Sequence, residues 1–99
     1  YGKRLSGSIT IDEGCTKAVL NHGASILPAG IIEVDGSFEP GDTVSIIAKG
    51  KEIARGLVNY SSTDLLKIRG HNTQDIARVL EIDTTYDEVV HRNNLVIIH

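Results

Sequence analysis

In the stretch GSITID, Ile9 and Ile11 alternate with Ser8 and Thr10, the period of two expected of a strand with one buried face. Asp12 follows where the free N–H groups of a first helical turn need an acceptor. From there Cys15, Ala18, Val19 and His22 fall at i, i+3, i+4 and i+7, and Gly23 offers the left-handed residue that ends a helix. The pattern predicts a strand, a capped helix with one apolar stripe, and a stop. Pro28 and Gly30 then bend the chain before Ile32 and Val34 alternate with Glu33 and Asp35 in a second strand. A turn at Glu39–Asp42, built on a proline and a glycine, leads into TVSII and EIARGLVNY, two strands about Lys49-Gly50-Lys51 that read as a hairpin. The small residues Ala54 and Gly56 predict that another backbone crosses closely there.

Ser61 or Ser62 is placed to cap a second helix whose apolar residues are Leu65, Leu66 and Ile68, with Gly70 as its stop. Thr73 is placed to cap a third, with Ile76, Val79 and Leu80 facing inward. The tail EVVHRNNLVIIH gives two β-rich runs separated by Asn93-Asn94, a final hairpin or a strand pair broken by a bulge. About six short strands and three short helices in mostly antiparallel order predict an α+β, mainly β pseudo-barrel, one domain over residues 1–99 with Phe38 in its core.

Composition narrows the function classes. A chain of 99 residues suits a single domain with a thin core. It contains no methionine, so the expectation is a processed chain or a piece of a larger one. Cys15 is the only cysteine, which excludes an internal disulfide and a cysteine-based metal cluster and fits a reducing, cytoplasmic setting. Its place on the helical stripe makes it a small core residue. No apolar run approaches the ~18 residues of a membrane span, so a soluble domain with no membrane partner is expected. The net charge of −3 argues against strong non-specific attraction to nucleic acid. Residues 49–80 are nevertheless basic, with Lys49, Lys51, Arg55, Lys67, Arg69 and Arg78 against Glu52, Asp64 and Asp75.

Candidate chemistry is sparse. His22 stands at a helix end and His71 after a helix stop, while His91 and His99 have no metal-ligand spacing. No phosphate-binding glycine loop is present: GHNTQD has one glycine where a dinucleotide fingerprint needs three. Ser61 and Ser62 beside Asp64 fit helix capping better than a nucleophile and its base. No catalytic or metal residue is assigned. Nucleic-acid binding survives, but with only Tyr1, Phe38, Tyr60 and Tyr86 aromatic it would rest on shape and phosphate contacts.

The succession GSITIDEGCTKAVLNHGASILPAGIIEVDGSFEPGDTVSI, IARGLVNYSSTDLLKIRG and EVVHRNNLVI resembles the C-terminal PUA domain (pseudouridine synthase and archaeosine transglycosylase) of the bacterial glutamate 5-kinase family over residues 5–98. GLVNYSS separates this branch from PUA domains attached to RNA-modifying enzymes. The resemblance implies a six-stranded pseudo-barrel and a homo-oligomeric parent that transfers the γ-phosphate of ATP, with Mg, to the side-chain carboxylate of glutamate in proline synthesis. The kinase domain would lie elsewhere in the same parent chain and be this domain's first partner, leaving these residues without cofactor or catalytic role. RNA is the second candidate partner. Mapped from the wider PUA family, its contacts would be Asn21, His22, Gly23, Ala24 and Ser25 after the first helix, continuing into Pro28 and Gly30, with the terminal segment Val90–Leu95 including Arg92. Lys49, Lys51, Arg55, Lys67 and Arg69 would supply a phosphate-facing patch, although the loop itself has no Lys or Arg. Three readings stand: an accessory domain serving assembly, stability or proline feedback, an RNA-binding module, and an independent enzyme.

Overall fold

A computed structural model describes residues 5–82 and 86–98. Five strands, β1 (Gly7–Ile11), β2 (Ile31–Gly36), β3 (Thr43–Ala48), β4 (Lys51–Leu57) and β5 (Leu95–Ile97), form one sheet in the order β2-β1-β3-β4-β5. All pairs are antiparallel except β1 with β3. Three helices, α1 (Glu13–His22), α2 (Ser62–Ile68) and α3 (Ile76–Leu80), and three single 3-10 turns at Pro28–Gly30, Thr73–Asp75 and Arg92–Asn94 complete the described chain.

Alternation along each strand sorts the two faces of the sheet. Register aligns Val34, Ile9, Ile46, Ala54 and Ile97 in one row across all five strands, and Ile9, Ile46 and Ala54 are fully buried. The adjacent row, Asp35, Ser8, Ser45, Arg55 and Val96, points to the other face. Between β3 and β4 the hairpin turns on Lys49 (φ 53°) and Gly50 (φ 75°), with Ala48 opposite Lys51. Positive φ at both central residues is what a two-residue turn needs to match the twist of its strands.

The sheet is closed by its own extensions. Ile26, upstream of β2, and Val90, upstream of β5, form an isolated antiparallel bridge, so the two edge strands are joined beyond their ends. The Ile26 N–H donates to the Val90 carbonyl at 2.9 Å, and the Val89 N–H donates to the Ile26 carbonyl at 2.7 Å. Ile26, Val89 and Val90 are all fully buried. Asn59 holds the same returning segment: its backbone N–H donates to the Val89 carbonyl at 2.8 Å and its side-chain amide to the Glu88 carbonyl at 2.9 Å. The Tyr60 hydroxyl accepts from the Tyr86 N–H at 2.8 Å and donates to the Tyr86 carbonyl, the two rings meeting edge to face. The mainly β pseudo-barrel expected from the pattern is therefore present.

Four local expectations are corrected. The tail forms no hairpin: Val89 and Val90 bond Ile26, a 3-10 turn intervenes, and Leu95–Ile97 alone pairs with β4. Five strands are seen among the described residues where six were expected. Ile32 stands 55% exposed while Ile31 enters the core, because the register slips: Thr10 faces Glu33 and Ile11 faces Ile31, leaving Ile32 as the extra residue of a bulge. Thr73 does not cap a helix; it sits in the 3-10 turn before α3 and its hydroxyl donates to the Asp87 carbonyl.

The close crossing predicted at Gly56 is a feature of the closure. A Cβ there would lie 2.6 Å from Val90 Cγ1 and 3.0 Å from the Asn94 carbonyl oxygen. Gly56→Val should lower unfolding stability by about 3 kcal/mol, the upper range for overpacking a filled site. Urea denaturation measures this directly, and an unchanged midpoint would refute the crossing.

Candidate functional site

Helix α1 builds one side of the site from capping chemistry. Asp12 Oδ1 accepts from the Cys15 N–H at 2.8 Å, and the helix ends at Gly23, which adopts φ 60°. The turn that follows exposes Asn21, His22 and Gly23 and half-buries Ala24 and Ser25. Here the closure has a second consequence: the Arg92 N–H donates to Ser25 Oγ at 2.8 Å, immediately beside the Ile26–Val90 bridge. His91 Nδ1 in turn accepts from the Asn93 N–H at 3.1 Å and caps the 3-10 turn. Residues 21–25 and Arg92, widely separated in sequence, thus form one corner. The Arg92 side chain is exposed and has no ion pair among the described residues.

The other bases are distributed over three places. Lys49 and Lys51 flank the β3–β4 turn near the start of α1, with Lys49 Nζ 3.9 Å from Glu13. Arg55 lies on the outward face of β4, where Nε and Nη2 clasp Glu52 at 2.9 and 3.2 Å. Lys67 and Arg69 lie at the end of α2, and Arg69 Nη1 donates to the Ile32 carbonyl of β2 at 3.0 Å. Two strands, β1 and β3, separate β2 from β4 in the sheet. These five bases do not converge on one patch.

Beside the corner, a surface depression of about 360 Å³ opens between α1 and residues 24–30. Cys15, Ala18, Ala24 and Leu27 make it largely apolar. A Cβ on Gly30 would come within 2.6 Å of Cys15 Cβ, so the glycine lets the 3-10 turn seat against the helix. Burial pushes the Cys15 thiol up to about 11, with the negative Asp12 carboxylate acting in the same direction and a backbone hydrogen bond at Leu27 opposing it. The cysteine is a packing residue, as its helical spacing indicated.

The serines of the GLVNYSS stretch are likewise structural. Ser61 Oγ accepts from the Asp64 N–H at 3.2 Å as the cap of α2, and the buried Ser62 Oγ accepts from the Phe38 N–H at 3.2 Å. Sequence reasoning missed the Ser45–Glu52–Arg55 group, in which the Ser45 hydroxyl donates to Glu52 Oε2 at 2.6 Å. Strand alternation places Ser45 and Arg55 on one face, but the pairing with Glu52 depends on the register slip between Ile46 and Ile47. Arg55, then Ser45, hold the Glu52 carboxyl below its usual range. No group of three His, Cys, Asp or Glu residues that could hold a metal occurs among the described residues, and no helix among them is long and apolar enough to cross a membrane. His99 and Tyr1 lie outside the described residues.

A small closed sheet with its loop and terminal segment joined at one corner defines a pseudo-barrel module. The chain belongs to the PUA domain family, whose sequence profile matches residues 7–80. It is 46% identical over 99 residues to a glutamate 5-kinase of Thermoanaerobacter sp. (strain X514), covering 99% of this chain and 26% of that protein. A glutamate 5-kinase of Dictyoglomus turgidum is 53% identical over 92 residues, covering 92% of this chain and 24% of the relative. The chain spans about a quarter of the length of these curated relatives and corresponds to their PUA portion. Among solved structures, a PUA domain from Aeropyrum pernix K1 in a tartrate complex aligns with a TM-score of 0.61 at 22% identity, covering 89% of this chain and 44% of that one. A conserved PUA domain protein from Thermoplasma acidophilum gives 0.57 at 23%, covering 93% and 47%. These two establish the fold.

The raised thiol pKa has a measurable consequence. At pH 8 the native Cys15 thiolate fraction should lie roughly 100-fold below that of an ordinary cysteine. Alkylation by iodoacetamide should therefore be slower by about that factor in the folded chain than in urea, and climb about tenfold per pH unit up to pH 10. Equal rates in the two states would show that the thiol is neither buried nor shifted.

Proposed function

We infer that this chain is the accessory C-terminal domain of an ATP-dependent glutamate 5-kinase acting in the cytoplasm. The observation that supports this is near-complete alignment of the chain with curated glutamate 5-kinases of which it covers only a quarter. In this reading, phosphoryl transfer to the glutamate carboxylate, ATP and Mg belong to the kinase domain. This domain contributes to assembly, stability or the response to proline. The described residues suit such a role: Ser61 caps α2, Ser62 ties to the Phe38 N–H, and the half-buried thiol is held neutral. Glutamate-dependent ADP formation, measured with ATP and Mg²⁺, should be present in the full-length chain and absent from these 99 residues alone. Turnover by the 99 residues, or none by the full-length chain, would overturn the reading.

A second reading, RNA binding, is favoured by one observation: the hydrogen bond from Arg92 to Ser25 assembles residues 21–25 and the terminal segment into a single corner. Arg92 is the base there, and phosphate neutralisation makes affinity fall with salt. Binding of fluorescent structured RNA at two salt concentrations should weaken in Arg92→Glu, with the salt slope reduced by about 1. Lys67→Glu combined with Arg69→Glu, at the β2 side, should leave the slope unchanged. Equal loss in both variants would show general electrostatic attraction rather than a site, and absence of binding at low salt would dismiss the RNA reading.

A further inference from the structure

Two surface depressions meet between α1 and the β3–β4 hairpin. The first, about 380 Å³, is walled by Ile11, Ala48 and Ile53. The second, about 450 Å³, opens between Leu20, Ile53 and Ile98. Lys51 and Ile53 line both, so the two lobes form one trench. Leu20 and Ile98 remain 47% and 37% exposed, apolar side chains that the closed core does not absorb.

The charge around the trench is asymmetric. Lys17 and Lys49 border the first lobe together with Glu13, which Lys17 approaches at 3.3 Å and Lys49 at 3.9 Å. Glu52 borders the second lobe, but its carboxylate is taken by Arg55 and Ser45. Lys51, at the junction, has no ion pair among the described residues. An apolar trench with an unmatched ammonium at its centre favours an occupant with apolar anchors flanked by a carboxylate. Nucleic acid fits less well: no aromatic side chain lines either lobe for a base to stack on, and the walls are aliphatic.

We propose that the trench between α1 and the β3–β4 hairpin docks an amphipathic helix from the kinase portion of the same polypeptide, with an apolar side chain in each lobe and an acidic residue on Lys51. The proposal deepens the accessory-domain reading and rests on it, since the occupant comes from the three quarters of the relatives' length that this chain does not span.

Lysine footprinting of the full-length chain tests it. The chain is briefly acetylated with an N-hydroxysuccinimide ester and read by mass spectrometry, with Lys67, exposed at the end of α2, as internal control. Lys51 should label at least ~5-fold more slowly than Lys67, as for a side chain covered by an interface. Leu20→Glu, and independently Ile98→Glu, should bring the two rates together while Lys67 is unchanged. Equal labelling of Lys51 and Lys67 in the unsubstituted chain would overturn the proposal. So would slow labelling that disappears on ribonuclease treatment, which would assign the trench to nucleic acid, or on dilution, which would assign it to a second copy. Glutamate phosphorylation by the same sample separates the two inferences. Activity with unprotected Lys51 removes the docking and keeps the kinase reading, whereas inactivity with protected Lys51 that Leu20→Glu releases removes the kinase reading and keeps a docked helix.

Discussion

The bridge between Ile26 and Val90 is the contact on which the rest of the domain depends. A five-stranded sheet of this size has two open edges, β2 and β5, and its apolar row would face solvent at both. The bridge joins the chain upstream of one edge to the chain upstream of the other, and both partners are fully buried. Packing then follows from closure: Val90 covers β4 at Gly56, and the segment before it is held by Asn59 and Tyr60. Because Ile26 and Val90 are 64 positions apart, the closure is a long-range contact whose chain-entropy cost must be met by burial and by several hydrogen bonds acting together.

GLVNYSS illustrates how far this was legible in the sequence. Gly56 announced a close approach by its lack of a side chain, and Ser61 announced a cap by its spacing to Asp64. Those are local grammars, written in a few consecutive residues. The work of Asn59 and Tyr60 was not legible, because their partners Glu88, Val89 and Tyr86 lie some thirty positions away and are main-chain groups with no residue-type signature. The same distinction explains the errors. Alternation placed Ile32 inward, but a bulge against β1 added one residue and turned it out. The tail looked like a hairpin by composition, yet its first run pairs with Ile26 rather than with its second.

Charge was the property that composition represented least well. Six bases in residues 49–80 suggest a patch only if the fold gathers them. The sheet order instead places Arg55 and Arg69 on strands or helices at different positions, and each is already committed: Arg55 to Glu52 and Arg69 to the Ile32 carbonyl. A guanidinium held this way has less to offer a phosphate than one without a partner. Arg92 and Lys51, neither of them ion-paired among the described residues, are accordingly the more informative cations, and they lie on different parts of the surface.

The candidate RNA corner is also a product of closure, and this bears on how it is interpreted. Once Ile26 pairs with Val90, the residues flanking them are brought side by side, so Ser25 meets Arg92 whether or not anything binds there. Gly23 is required by the end of α1 independently of a ligand. The geometry of the corner thus follows from the fold, and a function for it must be carried by side chains the fold does not need. Among residues 21–25 and Arg92, Ser25 and Gly23 have structural duties, which leaves Asn21, His22 and the Arg92 guanidinium as the groups whose substitution would separate recognition from architecture.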